Sequence, residues 1–94
     1  MNMNLGRENE QTEFKKTTSE MKEAMDSICA ILNKHGSGVL YFGVRPDGEV
    51  LGQDVEESTL RRVSQAIGNA IAPPIRPTIT RKTSDDGRSY VEVR

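Results

Sequence analysis

Hydrophobic positions recur at changing intervals along this chain, and the interval marks each element. Met21, Ala24, Met25, Ile28, Ile31 and Leu32 follow at helical spacing, a single stripe along one helix. Ahead of them, Thr17-Thr18-Ser19-Glu20 reads as a capping box, with Thr17 at the N-cap and Glu20 three residues on. Gly36 supplies the left-handed residue that stops the helix. Before the box, Thr12–Lys16 predicts a short strand with Phe14 facing inward. Residues 1–10 are polar and expected as a flexible lead-in. After the helix, Val39–Val44 shows no polar alternation, the pattern of a strand buried on both faces.

Pro46-Asp47-Gly48 then turns the chain, and Glu49–Leu51 is expected to pair back as a short hairpin partner. Asp54 with Glu57 predicts a second capping box. The helix it opens buries Leu60, Val63, Ile67, Ala70 and Ile71, and Pro73-Pro74 ends it for want of a backbone donor. Ile75–Thr80 alternates apolar and polar residues, and Pro77 marks it as an edge strand. Asp85-Asp86-Gly87 forms a hairpin turn into a returning strand with Tyr90, Val91 and Val93. The pattern stops at Arg94 in mid-strand, so residues 11–94 are expected to be a domain truncated at its C-terminal end. The predicted fold is α+β, two helices packed on a small mixed β-sheet in the order β-α-β-β-α-β-β.

Composition tempers this picture. Only 34% of the residues are hydrophobic and Trp is absent, so the core must be aliphatic and modest. A small core makes a homodimer, or contact with a missing C-terminal segment, the expected arrangement. The net charge of −1 lacks the strong basic excess of many nucleic-acid binders. Residues 73–94, however, carry five basic and three acidic side chains, against four basic and six acidic in residues 1–33. The single cysteine, Cys29, excludes an internal disulfide and is expected as a buried, inert thiol on the apolar side of its helix. No eighteen apolar residues run together, and the N-terminus carries no cleavage signature. The expectation is a soluble, cytoplasmic protein with no membrane partner.

Three groups of residues have chemistry suited to nucleic acid. In Lys34-His35-Gly36-Ser37-Gly38, successive amides of a Gly-rich turn can cup an anion beside the two basic side chains, although a helix cap and tight turn use the same residues. Arg61, Gln65 and Asn69 recur every four residues with Arg62 beside them. These side-chain types read phosphates and base edges, and they also suit a plain solvated helix face. Arg76, Arg81, Lys82 and Arg88 stud the last hairpin, and a two-stranded basic ribbon can lie along a groove.

Several short motifs, taken in order, resemble the Schlafen/AlbA-type DNA-binding domain family. They are Glu8 to Lys15, against an E-S-x-x-x-E-F-K-like opening; Ala30-Ile31-Leu32-Asn33; Gly36-Ser37-Gly38; Leu40-Tyr41-Phe42-Gly43-Val44; Asp47-Gly48; and Val50-Leu51-Gly52. The helix to Ile71 and the exit Pro73-Pro74-Ile75-Arg76-Pro77 fit as well. The resemblance spans residues 8–93 and implies a DNA- or RNA-binding domain of a transcriptional regulator or ATPase-fused protein. In some Schlafen members it also implies endoribonuclease activity by an acidic triad holding Mg²⁺ or Mn²⁺. Glu8 and Glu13 match two of those acids. The positions after Val44 are Arg45 and Pro46, so the third acid comes only at Asp47, which also has an ordinary role as a turn residue. The reading is therefore a non-enzymatic nucleic-acid binder with no cofactor. The alternatives are a metal-dependent ribonuclease using Glu8, Glu13 and Asp47, and an oligomerisation or protein-interaction module.

Overall fold

The computed structural model describes residues 3–71 and 75–94. Strand β1 (Thr12–Lys15) leads through a 3₁₀ turn (Thr18–Glu20) into helix α1 (Met21–His35) and strand β2 (Val39–Phe42). Helix α2 (Glu57–Ala70) follows, and strands β3 (Ile79–Thr83) and β4 (Ser89–Val93) close the chain. The sheet order is β1-β2-β4-β3, with β1 parallel to β2 and the other pairs antiparallel. A parallel pair needs a crossover, and α1 supplies it. The fold is the expected α+β arrangement of two helices on a mixed sheet.

Leu40, Phe42, Val91 and Val93 face the helices and pack with Ala24, Met25, Ile28, Val63 and Ile67, joined by Val55 from the connection into α2. Phe14, Val44, Val50 and Tyr90 form a smaller cluster, with Met3, Leu5 and Tyr41 packed against it. By strand alternation, Phe14, Tyr41 and Tyr90 belong to the sheet face turned away from the helices. The central strand is thus covered on both sides, as its unbroken apolar run requires. It ends at Phe42, while Val44 is buried through a single antiparallel bridge to Val50. The expected Glu49–Leu51 return is held by that bridge, by Arg45 N–H donating to Glu49 O at 2.8 Å, and by the amides of Leu51 and Gly52 donating to Gly43 O at 2.9 and 3.0 Å.

Local signals set most element ends. Thr17 caps the 3₁₀ turn by accepting from the Ser19 amide, and the Glu20 carboxylate accepts from the Lys16 amide at 2.9 Å. Gly36 adopts φ +79° and donates its N–H to Leu32 O at 2.8 Å, closing α1. The second capping box is displaced from its expected place at Asp54 and Glu57. It forms between Glu56 and Thr59, whose hydroxyl accepts from the Glu56 amide at 3.1 Å. Burial of Val55 in the core holds the approach extended, which moves the helix start two residues on. Strand β3 begins at Ile79 rather than Ile75: Pro77 has no N–H to offer the ladder, and pairing opens with Thr78 against Arg94. Pro73-Pro74, expected to end α2, lies outside the described residues.

Two further departures concern single segments. Residues 3–6, expected as a lead-in, lie against the Asp47–Val50 turn. Leu5 N–H donates to Gly48 O at 2.8 Å, and Val50 N–H donates to Met3 O at 2.9 Å. Cys29, expected to be buried, is only half-buried, its thiol 3.5 Å from Ala70 O where the two helices meet. Among the described residues, no helix is long and apolar enough to cross a membrane.

Candidate nucleic-acid interface

The sheet distributes the sequence-predicted residues over two ends and one helix side. Pairing of Thr12 with Val39, Leu40 with Val93 and Ile79 with Val93 puts the starts of β1, β2 and β3 and the end of β4 together. The α1–β2 turn, with Lys34, His35 and Ser37, sits at this end. Arg76 precedes Thr78 there, on the approach to β3. Arg81, Lys82 and Arg88 belong to the β3–β4 hairpin, whose turn projects from the opposite end, about 15 Å away along the strands. Arg61, Arg62, Gln65 and Asn69 are all exposed on α2. The structure therefore does not gather these residues into one surface.

Their charges are also unequally committed. His35 Nε2 lies 3.5 Å from Glu10, Arg61 lies 3.4 Å from Glu57, and Arg88 lies 3.0 Å from Asp86. Arg88 also donates to Val50 O at 3.4 Å, and the Arg81 guanidinium donates to the Ser89 hydroxyl at 3.1 Å. The hairpin turn is knit further by a hydrogen bond between Ser84 Oγ and Asp86, which holds the Asp86 carboxyl below its ordinary range. By contrast, Lys34, Arg62, Arg76 and Lys82 are exposed and form no ion pair among the described residues.

The acids of the nuclease reading separate. Glu8 and Glu13 come together: burial first, then a shared hydrogen bond and the charge of Glu13, push the Glu8 carboxyl above its ordinary range. Lys15, 3.4 Å from Glu13, opposes that shift. Asp47 is exposed, and its Oδ1 accepts from the Glu49 amide at 3.0 Å, an ordinary turn contact. Among the described residues, no group of three or more His, Cys, Asp or Glu side chains is placed to hold a metal ion.

The structure adds a residue that sequence reasoning passed over. On the sheet face away from the helices, Tyr41 donates its hydroxyl to Glu92 at 3.1 Å, and Arg94 Nε donates to the same carboxylate at 2.9 Å. Burial works against the charge on Glu92, but the hydrogen bonds of Arg94 and Tyr41 and the charges of Arg94 and Lys82 outweigh it, so its pKa is lowered. Burial next to Glu92 pushes the Tyr41 hydroxyl up, and the same carboxylate raises Arg94. Arg94 thereby projects from the end of β4 toward Gln11 and Ser37, with which it lines a polar notch. The available signal was the i, i+2 spacing of Glu92 and Arg94 on one strand face, which becomes informative once β4 is known to lie beside β2.

A family model described as Schlafen, AlbA_2 matches residues 8–94, nearly the whole chain. No curated protein and no solved structure matches it. The chain belongs to the Schlafen AlbA_2 family.

Proposed function

We propose that this Schlafen AlbA_2 domain binds nucleic acid, DNA or RNA, chiefly through phosphate contacts. The observation that carries the reading is the set of exposed cations, Lys34, Arg62, Arg76 and Lys82, that form no ion pair among the described residues in a chain of net charge −1. Acids outnumber bases, so neutralising every cation locally was open to this sequence. The cations are spread over the surface and few in number, which suits weak, salt-sensitive association and little base readout. A second copy of the chain, or a neighbouring segment of a longer protein, would multiply these contacts.

Binding rather than cleavage is favoured because Asp47 is engaged in its own turn while Glu8 and Glu13 meet without it. The test is fluorescence anisotropy with duplex DNA, single-stranded DNA and structured RNA at several salt concentrations. The expected result is a linear fall of log K with log salt, with a slope of about −3 on duplex DNA for three to four phosphate contacts. Lys82→Ala should reduce that slope by about one. No binding to any of the three polymers at low salt would overturn the reading.

A further inference from the structure

We propose that the notch where β1 and β2 begin and β4 ends is a phosphate site. The notch has a volume of about 480 Å³, and its polar lining is Asn9, Gln11, Thr12, Ser37 and Arg94. This inference rests on the nucleic-acid reading and gives it a place on the molecule.

Three observations carry it. The lining contains a guanidinium, two hydroxyls and two side-chain amides but no carboxylate, so it suits a ligand rich in acceptors. The lining is also fixed in place. Gln11 Nε2 donates to Ser37 Oγ at 3.2 Å, tying the turn to β1, and Asn9 Oδ1 accepts from the Gln11 amide at 2.8 Å. Glu92 takes Arg94 Nε at 2.9 Å and Nη2 at 3.5 Å, which orients the guanidinium and leaves further N–H groups for a ligand. Finally, Gly36 N–H is used by Leu32 O and Val39 N–H by Gln11 O, whereas the Ser37 and Gly38 amides between them have no hydrogen-bond partner among the described residues. Adjacent unpaired amides beside an arginine form the kind of concavity that holds an oxyanion.

One force opposes an anion here: α1 ends at this turn, and a helix C-terminus carries partial negative charge. Lys34 in the last helical turn offsets it. Gly38 serves packing instead, since a Cβ there would lie 2.5 Å from Ile31. Its smallness keeps the turn against α1, where the notch wall needs it.

The test is ¹H–¹⁵N NMR on the whole 94-residue chain, titrated separately with inorganic phosphate and with a single-stranded oligothymidylate. Both probes are expected to shift the Thr12, Ser37 and Gly38 amides and Arg94 Nε. Ser37→Glu, at an exposed position, should keep a dispersed spectrum and weaken oligonucleotide binding about tenfold or more by like-charge repulsion. Arg94→Gln should weaken both probes while keeping the backbone bonds to Thr78. Phosphate shifts in the notch, with no binding of oligothymidylate, duplex DNA or structured RNA at low salt, would uphold the phosphate site and overturn the nucleic-acid reading. Oligonucleotide shifts confined to the Arg81–Arg88 hairpin, with the notch silent to phosphate, would overturn the site and leave nucleic-acid binding standing.

Discussion

On one face of the sheet, Leu40, Phe42, Val91 and Val93 meet the apolar sides of two helices; on the other, Phe14, Tyr41 and Tyr90 share the surface with Glu92, Lys82 and Arg94. The first face is held by area removed from water, at about 1.5–3 kcal/mol for each fully buried large side chain, and asks only for shape. The second combines a small cluster with directional bonds, and those bonds fix where a guanidinium points. Stability is concentrated where the helices lie, whereas the proposed phosphate site lies where they do not. The candidate notch opens on the second face, lined by Thr12 and Val39, which share the sheet face of Phe14 and Tyr41.

The sharpest test of that contrast uses the same residue type twice. Phe42 is fully buried in the larger cluster, whereas Phe14 is 3% exposed in the smaller one beneath residues 3–5. Phe42→Ala should cost about 4–5 kcal/mol, because the sheet and two helices cannot close around the void. Phe14→Ala should cost about 3 kcal/mol, because the N-terminal strap can settle into the space. Urea unfolding of both variants checks the order. Equal costs would mean that the two clusters are one core in energetic terms.

A smaller effect isolates the strap. Gly48 adopts φ +90°, and a Cβ there would lie 1.8 Å from Gly6 O. Gly48→Ala should cost about 1–3 kcal/mol through backbone strain and displacement of residues 3–6. Amide exchange reads it directly: protection should fall at Leu5 and Val50, whose N–H groups bond across this contact, and hold at Val91 on the central strands. Unchanged protection at Leu5 would show that the strap does not depend on this close approach.

The helix-covered face was legible in the sequence because its code is periodic. The stripe from Met21 to Leu32, Gly36 as a stop, and the run from Val39 each name a local requirement that the fold keeps. Errors arose where tertiary packing decides: Val55 sinks into the core and carries the α2 cap with it, and pairing of β3 waits until past Pro77. The strap was invisible because Met3 and Leu5 are too few and too far apart to show a period. Of the candidate site, Lys34, His35 and Ser37 were marked by composition around a turn. Arg94, Gln11, Asn9 and Thr12 were not, since only the β2–β4 and β1–β2 pairings bring them together. Long-range register is what a local pattern lacks.

The smallest predicted effect separates the two faces by pH. Glu92 has a lowered pKa in the folded protein, so as pH falls the unfolded chain takes up the proton first. The stability Glu92 contributes is therefore present above the ordinary glutamate value and lost as pH falls through the folded value. Tyr41→Phe removes one of the hydrogen bonds responsible, and at neutral pH it should cost about 1 kcal/mol. That cost should shrink in acid, as protonated Glu92 becomes a weaker acceptor for the tyrosine hydroxyl. Val91→Ala, on the helix face among aliphatic neighbours, should cost the same at every pH because no titrating group is involved. Urea unfolding of both variants from pH 7 down to about pH 3 makes the comparison. A Tyr41→Phe cost as flat as that of Val91→Ala would mean that Arg94 alone holds the Glu92 carboxylate. The tyrosine would then be packing, and the orientation of Arg94 toward the notch would rest on a single ion pair.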